Sequence, residues 1–442
     1  MAPPSLRTRS GTTADLLAVA AGVALVGAAA LVGRALLADG VDLFLGWPPL
    51  LAVWLPHVGP GTPVAVAVAV LVVARGPELA ERAGWRPLLA AGYAASAVWT
   101  LGLALVDGWT RGVVERLSSD QEYLHDVPRV TDIGAVLRTF DQFILTDQPV
   151  HWTTHVGAHP PGVFLFYVVL DRLGLGDGGA AGVVTVLIGA SAGIAVAVAV
   201  RALSGEDLAR RVLPFAVLFP GAVWVGVSAD GMFAAVLAWG VALLAVGATG
   251  HGGRADGAAL AGGVLLGWAL YQSYGLVLGG LVALAVVAAT RRWRAVGFAA
   301  LGVGLVVLAF TLAGFWWFTG LERTRVIYAA SVAATRPYAY FVWANLAAVA
   351  FAVGPAVLAG IRRAAASPRA LPLGALLLAA GGLAALLAAD LSGLSKAEVE
   401  RIWLPFGVWL VIPCALLPRV RPWLAAQAAF TLAVNHLLLT VW

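Results

Sequence analysis

Four polar groups in this chain have residue types and spacings that suit chemistry. The first is Ser118-Ser119-Asp120-Gln121-Glu122-Tyr123-Leu124-His125-Asp126. On a helix Glu122 and Asp126, four residues apart, share one face. Two carboxylates brought together raise the pKa of one of them, which suits a general base acting on a hydroxyl, or they bind a divalent cation. A solvated acidic loop is the plainer use of the same residues. The second group runs from His151 through His155 to His159-Pro160-Pro161-Gly162. Three histidines at successive four-residue steps ligate zinc on an unbroken helix, but Gly157 and Pro160 argue against one. Proline at a first helical turn instead marks Pro161 as the start of a new helix and leaves His159 at its mouth. There the imidazole would donate to a phosphate or sugar oxygen, or serve as a hydrogen-bonded interfacial histidine.

The third group is Asp230, which closes the stretch from Phe219-Pro220-Gly221 between two apolar runs. An ionisable residue so placed is costly in lipid and should face a polar cavity. Asp390 is a weaker case of the same kind. The fourth is Ser395-Lys396-Ala397-Glu398-Val399-Glu400-Arg401-Ile402-Trp403-Leu404-Pro405-Phe406, which holds the chain's single lysine. With Arg336, and with Arg323 and Arg325 nearby, Lys396 and Arg401 offer cations for an anionic ligand, above all a phosphate. Partnering the nearby acids is the alternative.

The elements that must position these groups are membrane helices. With 61% hydrophobic and 12% charged residues and a mean hydropathy of +0.90, the chain is no soluble globule, whose charged fraction would be about 25%. Apolar runs long enough to cross a hydrocarbon core of about 30 Å recur at about 14–37, 61–75, 87–106, 179–200, 212–229, 230–248, 257–273, 275–290, 296–317, 340–361, 371–389, 402–417 and 422–440. We therefore expect an all-α polytopic membrane protein of about thirteen spans forming one transmembrane domain over residues 1–442. Pro161 to Leu175 is too short to join them and is expected as a helix on the membrane surface.

Arginine placement sets the expected orientation. With the N-terminus cytoplasmic, the clusters at Arg7 and Arg9, Arg75 to Arg86, Arg201 to Arg211, Arg254, Arg291 to Arg294, Arg362 to Arg369, and Arg419 and Arg421 all fall inside, as the positive-inside rule requires. Counting Pro161 to Leu175 as a span would invert that pattern. The polar connections 107–178, 318–339 and 390–401 then lie outside, with the Tyr271-Gln272-Ser273-Tyr274 turn. The scattered arginines form no basic stripe, which argues against a nucleic-acid partner. The first run is too long for a signal peptide and reads as a retained span. The segment from Asp39 to Gly59 is expected to be re-entrant or surface-lying. Cys414, the only cysteine, lies in an apolar run and is expected in the core.

Taken in order, these motifs resemble the integral-membrane glycosyltransferases of the C-type fold, which take sugar from a polyprenyl-phosphate carrier. The resemblance covers roughly residues 107–440. It rests on an acidic motif in a long outer loop (Asp120-Gln121-Glu122-Tyr123), a His-Pro-Pro-Gly element before a surface helix ending Leu173-Gly174, the Pro220 to Asp230 hairpin, and Arg401-Ile402-Trp403-Leu404-Pro405 late in the chain. More narrowly, the late motif is similar to that of a group of actinobacterial membrane proteins, which implies no substrate. The resemblance implies a multi-pass plasma-membrane enzyme with an extracytoplasmic site. It would invert at the anomeric carbon while moving a hexosyl or pentosyl group, mannosyl among them, from a polyprenyl-phosphate-linked donor to an envelope glycan, lipid or protein. Glu122, Asp126 and Asp120 compete as the base. Tyr123, His155, His159, Asp230, Arg336, Lys396, Glu400 and Arg401 are the residues expected to contact substrate. Metal dependence is left open, with a divalent cation as an option. This chain departs from the usual form in carrying its acidic loop after the third expected span instead of the first. A lipid or solute transporter or flippase, and a non-enzymatic partner in envelope assembly, are the competing readings.

Overall fold

The computed structural model describes residues 10–440, so Arg7, Arg9 and Trp442 lie outside the described residues. In lipid every backbone donor and acceptor must find a partner within the protein, and apolar runs therefore fold as helices. Helices occupy all thirteen expected segments. In chain order they are α1 (Ser10–Ala38), α2 (Thr62–Arg82), α3 (Trp85–Ala104), the short α4 (Pro161–Arg172) and α5 (Gly178–Ser204). Next come α6 (Glu206–Val217), α7 (Ala229–Thr249), α8 (Gly253–Gln272), α9 (Tyr274–Thr290) and α10 (Trp293–Leu312). The series ends with α11 (Trp317–Ala330), α12 (Tyr338–Ala366), α13 (Leu373–Leu391), α14 (Leu404–Leu416) and α15 (Val420–Leu437).

Eight of these are long and apolar enough to cross a membrane, namely α1, α2, α3, α5, α7, α10, α12 and α13. The protein is a polytopic membrane protein. The other five expected spans are shorter or more polar helices: α6, with Pro214 inside it, α8, α9, α14 and α15. Burial orders the bundle. The most apolar window of α7 is 83% buried inside the protein, whereas that of α1 is 11% buried. α7 is thus the central post, and α1 lies at the rim against α12.

Ion pairs and caps sort the two ends. At one end Arg210 donates to the Ala80 and Ala83 carbonyls at 2.6 and 2.8 Å. Arg201 lies over Trp85, and Arg421 donates to the Ala74 carbonyl. Leu208 packs against Ala364, Leu371 and Leu416, and buried Asp15 accepts from both Arg362 and Arg363 at 2.6 Å. The arginine-rich connections therefore gather at one end of the bundle. The polar connections 107–178, 318–339 and 390–401 gather at the other.

The Asp39 to Gly59 segment belongs to the polar end and is mostly irregular. Its strand Ala52–Trp54 pairs antiparallel with Leu438–Thr440, the two-stranded exception in an otherwise helical fold. Its His57 bonds Asp107 at 2.7 Å, and Asp107 in turn holds Arg116 at 2.8 Å. The early irregular segment and the C-terminal strand are thereby tied to the start of the long polar loop. Helix α4 is twelve residues long, starts with Pro161 at its first position and is followed two residues past its end by Gly174, whose φ of +78° suits glycine. Gly162 leaves room for close packing, since a Cβ there would meet the Tyr271 carbonyl at 2.5 Å.

Helix α12 is broken inside the bundle, where Gly354 has φ +75° and Pro355 lacks an N–H. The freed backbone groups are taken up by fully buried Gln427 of α15, which donates to the Val353 carbonyl at 2.8 Å and accepts from the Ala356 N–H at 2.9 Å. Replacing Gln427 by Leu strands both groups and should cost about 2–4 kcal/mol. Thermal unfolding in detergent reads this directly, and an unchanged midpoint would show that the break is satisfied without the amide.

Candidate functional site

A cavity of about 720 Å³ opens at the polar end. Residues from the 144–159 loop, the start of α7, the 273–278 turn, α11 and its following loop, and the 388–406 segment line it. The three connections placed outside by charge thus converge on one chamber. Its ionisable lining consists of His151 and His159, Asp230, Tyr274 and Tyr328, Arg325 and Arg336, and Lys396 and Glu398.

Two ion pairs fix the floor. Asp230 in the first turn of α7 accepts from Arg401 at 2.7 Å, and the same guanidinium reaches Glu398 at 3.2 Å. Burial by itself would lower the Arg401 pKa. The carboxylates of Asp230, Glu398 and Glu122 outweigh burial and hold it above its ordinary value. Glu398 also pairs with Arg336 at 3.4 Å. Arg336 then donates to the carbonyls of Lys396, at 2.7 Å, and Leu43, at 3.2 Å. The Lys396 ammonium donates to the Ala334 and Arg336 carbonyls, and burial with the Arg336 charge lowers its pKa. Asn345 of α12 locks this loop from behind. Its amide donates to Asp390 and to the Ser395 carbonyl and accepts from the Ala397 N–H. Asp390 accordingly supports the loop and does not reach the chamber.

The acidic motif takes a different form from the expected helical pair. The helix there begins at Tyr123, and Glu122 precedes it in an extended conformation, so Glu122 and Asp126 do not share a helical face. Each has its own partner. Glu122 pairs with His155 at 2.8 Å, while Asp126 accepts from Arg129 at 2.7 Å and from the Thr153 N–H at 2.8 Å. Burial raises the pKa of Glu122, but the charge and hydrogen bond of His155, with Arg401 and His159, bring it below the ordinary carboxylate value. Asp120 is exposed, and none of the three acids lines the chamber. Tyr123 is buried behind the wall, stacked on Tyr167 and beside His159, and burial followed by the Glu122 and Asp230 charges raises its pKa well above normal.

The three histidines do not form a zinc site, because the helix between them spans only Thr154–Gly157 and each ring has its own partner. His151 faces the Trp152 carbonyl, His155 faces Glu122, and His159 faces the His155 carbonyl. Among the described residues, no group of three or more His, Cys, Asp or Glu side chains is placed to hold a metal ion.

Glu400 lies off the chamber, fully buried between Val399 and Arg401. Arg323 binds the Asp141 carbonyl and carboxylate, leaving Arg325 as the arginine of that helix that lines the cavity. Two features escape motif reading. Glu398 is a wall residue bridging two arginines, in a turn where Ala397 and Glu398 both adopt positive φ (71° and 61°). The apolar wall of Tyr274, Leu276, Trp317, Leu321, Ile327 and Phe406 is assembled from three separate segments and shows no sequence motif.

No family model matches the chain, and no curated protein does. Among solved structures, it is similar to ArnT from Cupriavidus metallidurans bound to undecaprenyl phosphate, with 17% identity and a TM-score of 0.46 over 76% of this chain. It is likewise similar to the apo state of the same protein, at 18% identity and a TM-score of 0.45 over 75% of this chain. The chain covers 60% of the length of each of these structures.

The buried pair makes a stability test. Arg401→Met leaves Asp230 uncompensated, while Glu398 keeps Arg336, and should cost about 3–5 kcal/mol, most of it recovered on adding Asp230→Asn. Thermal unfolding of the single and double variants measures this, and additive losses would show that the two residues act independently.

Glu400 generates a second test. Burial pushes its carboxyl up to about 7, and one carboxylate oxygen has no hydrogen-bond partner among the described residues. The folded state therefore binds a proton more tightly than the unfolded chain, whose Glu titrates near about 4.3. This contribution is fully present below that value and is lost as pH rises through about 7. Glu400→Gln should match wild type in melting temperature near pH 4.5 and exceed it at pH 8. A constant difference across that range would contradict the assignment.

Proposed function

We propose that the protein is an inverting glycosyltransferase that takes a sugar from a polyprenyl-phosphate carrier and passes it to a hydroxyl acceptor on the extracytoplasmic side of the plasma membrane. One observation carries the reading: a single chamber has both a cationic floor and a broad apolar wall. Against Asp230 and Glu398 stand Arg325, Arg336, Lys396 and, just behind, Arg401, which leaves an excess of two positive charges. Neither Arg325 nor Lys396 forms an ion pair among the described residues. A ligand with an anionic head and a long hydrocarbon tail satisfies both surfaces, and a phosphorylated polyprenol is such a ligand.

In this reading Lys396, Arg325 and Arg336 bind the phosphate, and the Trp317 side accepts the first isoprene units. Asp230, held in place by Arg401, accepts hydrogen bonds from sugar hydroxyls. Glu122 and Asp126 act by holding the polar loop in shape through His155, Arg129 and the Thr153 N–H. One displacement at the anomeric carbon, with phosphate as the leaving group, inverts that centre.

Arg325→Ala and Lys396→Ala should each weaken binding of a polyprenyl phosphate about 10–100-fold, the loss of one charge-assisted contact. Binding to purified protein in nanodiscs, paired with sugar transfer from a radiolabelled polyprenyl-phosphate donor, tests the proposal. Transbilayer movement of the lipid in proteoliposomes with no sugar transfer would replace it with a transporter.

A further inference from the structure

His159 was expected to donate to a phosphate or sugar oxygen, and its geometry points the other way. Its Nδ1 lies 2.8 Å from the His155 carbonyl oxygen. A carbonyl only accepts, so Nδ1 carries a proton and donates it. The Tyr123 phenol oxygen stands 3.2 Å from the same nitrogen and packs that edge of the ring. The other ring nitrogen, Nε2, has no hydrogen-bond partner among the described residues, and the ring lines the chamber together with Phe233 and Asp230. The charged and titratable groups around the ring are Glu122, Tyr123 and His155 from its own loop, Asp230 from α7 and Arg401 from the late loop. Burial and the neighbouring His155 bring the imidazole down to about 4, so the ring is neutral at pH 7. A neutral imidazole with Nδ1 protonated has a lone pair at Nε2.

We infer that His159 Nε2 receives the proton of the acceptor hydroxyl, making it the general base of the transfer and not a phosphate contact. The inference rests on the glycosyltransferase reading above. It follows from competition on the wall as well, because the two carboxylates that line the chamber, Asp230 and Glu398, are both held by arginines. As the acceptor oxygen bonds to the anomeric carbon, its proton moves to Nε2. The bond from that carbon to the phosphate oxygen breaks, and its electron pair stays on the phosphate. The donor phosphodiester, with one negative charge, becomes a monoester with two, and the new charge on the imidazolium balances it. An imidazolium this acidic then passes its proton to the departing monoester, whose second pKa is about 6.

Three measurements on the full chain in nanodiscs test this. Nitrogen-15 NMR of histidine-labelled protein at pH 7, with His159→Gln used for assignment, should show an unprotonated Nε2. His159→Gln, which places an amide oxygen where Nε2 stood but has no basicity, should bind a polyprenyl phosphate within about twofold of wild type. The same variant should transfer sugar about 10²–10⁴-fold more slowly at saturating acceptor, with acceptor KM little changed. A protonated Nε2, a tenfold or greater loss of polyprenyl phosphate binding, or undiminished transfer would each overturn the assignment. Failure of the wild-type protein to bind polyprenyl phosphate would remove the function reading and the base with it, while the NMR result would still decide the tautomer on its own.

Discussion

The polar end of this protein is organised around one buried cation. Arg401 has almost no access to solvent, and a charge so placed is tolerated only when it is paired and hydrogen-bonded. Its partners come from two distant parts of the chain, Asp230 at the start of the central helix and Glu398 three residues before it. Meeting both pins the late loop onto α7, and Glu398 extends the constraint to Arg336. Arg336 then holds the Leu43 and Phe44 carbonyls of the early irregular segment. One electrostatic requirement thus fixes the relative positions of three walls of the chamber.

The segments that precede the long loop act as a brace for that arrangement. The early segment pairs with the C-terminal strand, receives Arg336, and anchors His57 to Asp107 at the mouth of the polar loop. On the other side, Glu122 with His155 and Asp126 with Arg129 hold the loop from within. Carboxylates used in this way cost less buried than they would alone, because each one already has a hydrogen-bonded partner side chain. The acids of the loop then shape the site without lining it, while the residues at its surface stay available to a ligand.

Much of this architecture is legible in the residues, and the parts that are not have physical reasons. Hydropathy and arginine placement locate the helices and separate the two ends, since lipid imposes both patterns on any chain that crosses it. Pro161 and Gly174 mark the ends of the short helix because proline and glycine act through the local backbone. Spacing misleads at Glu122 and Asp126, where the helix begins one residue later than the pairing needs. For His159 the sequence names the wall residue and cannot say which nitrogen turns back to its own loop, a matter of one rotamer and one carbonyl. Gln427 is invisible as a motif, for a lone amide in an apolar run acquires its role only when the broken helix of another segment arrives beside it. Glu398 is hidden for a similar reason, since two residues of positive φ decide which side of the loop it faces.

The charge balance of the chamber connects these features to the proposed chemistry. An excess of two cations is more than a phosphodiester with one negative charge requires, and it matches the monoester that forms as the sugar leaves. Groups that bind the developing dianion better than the starting ester lower the barrier to transfer. Burial, followed by His155, is what lowers the His159 pKa, and the paired Asp230 and Arg401 act on it in opposite directions. In the proposed transfer the chamber therefore combines two separate effects: its net positive charge suits the leaving phosphate, while burial keeps a neutral imidazole beside it.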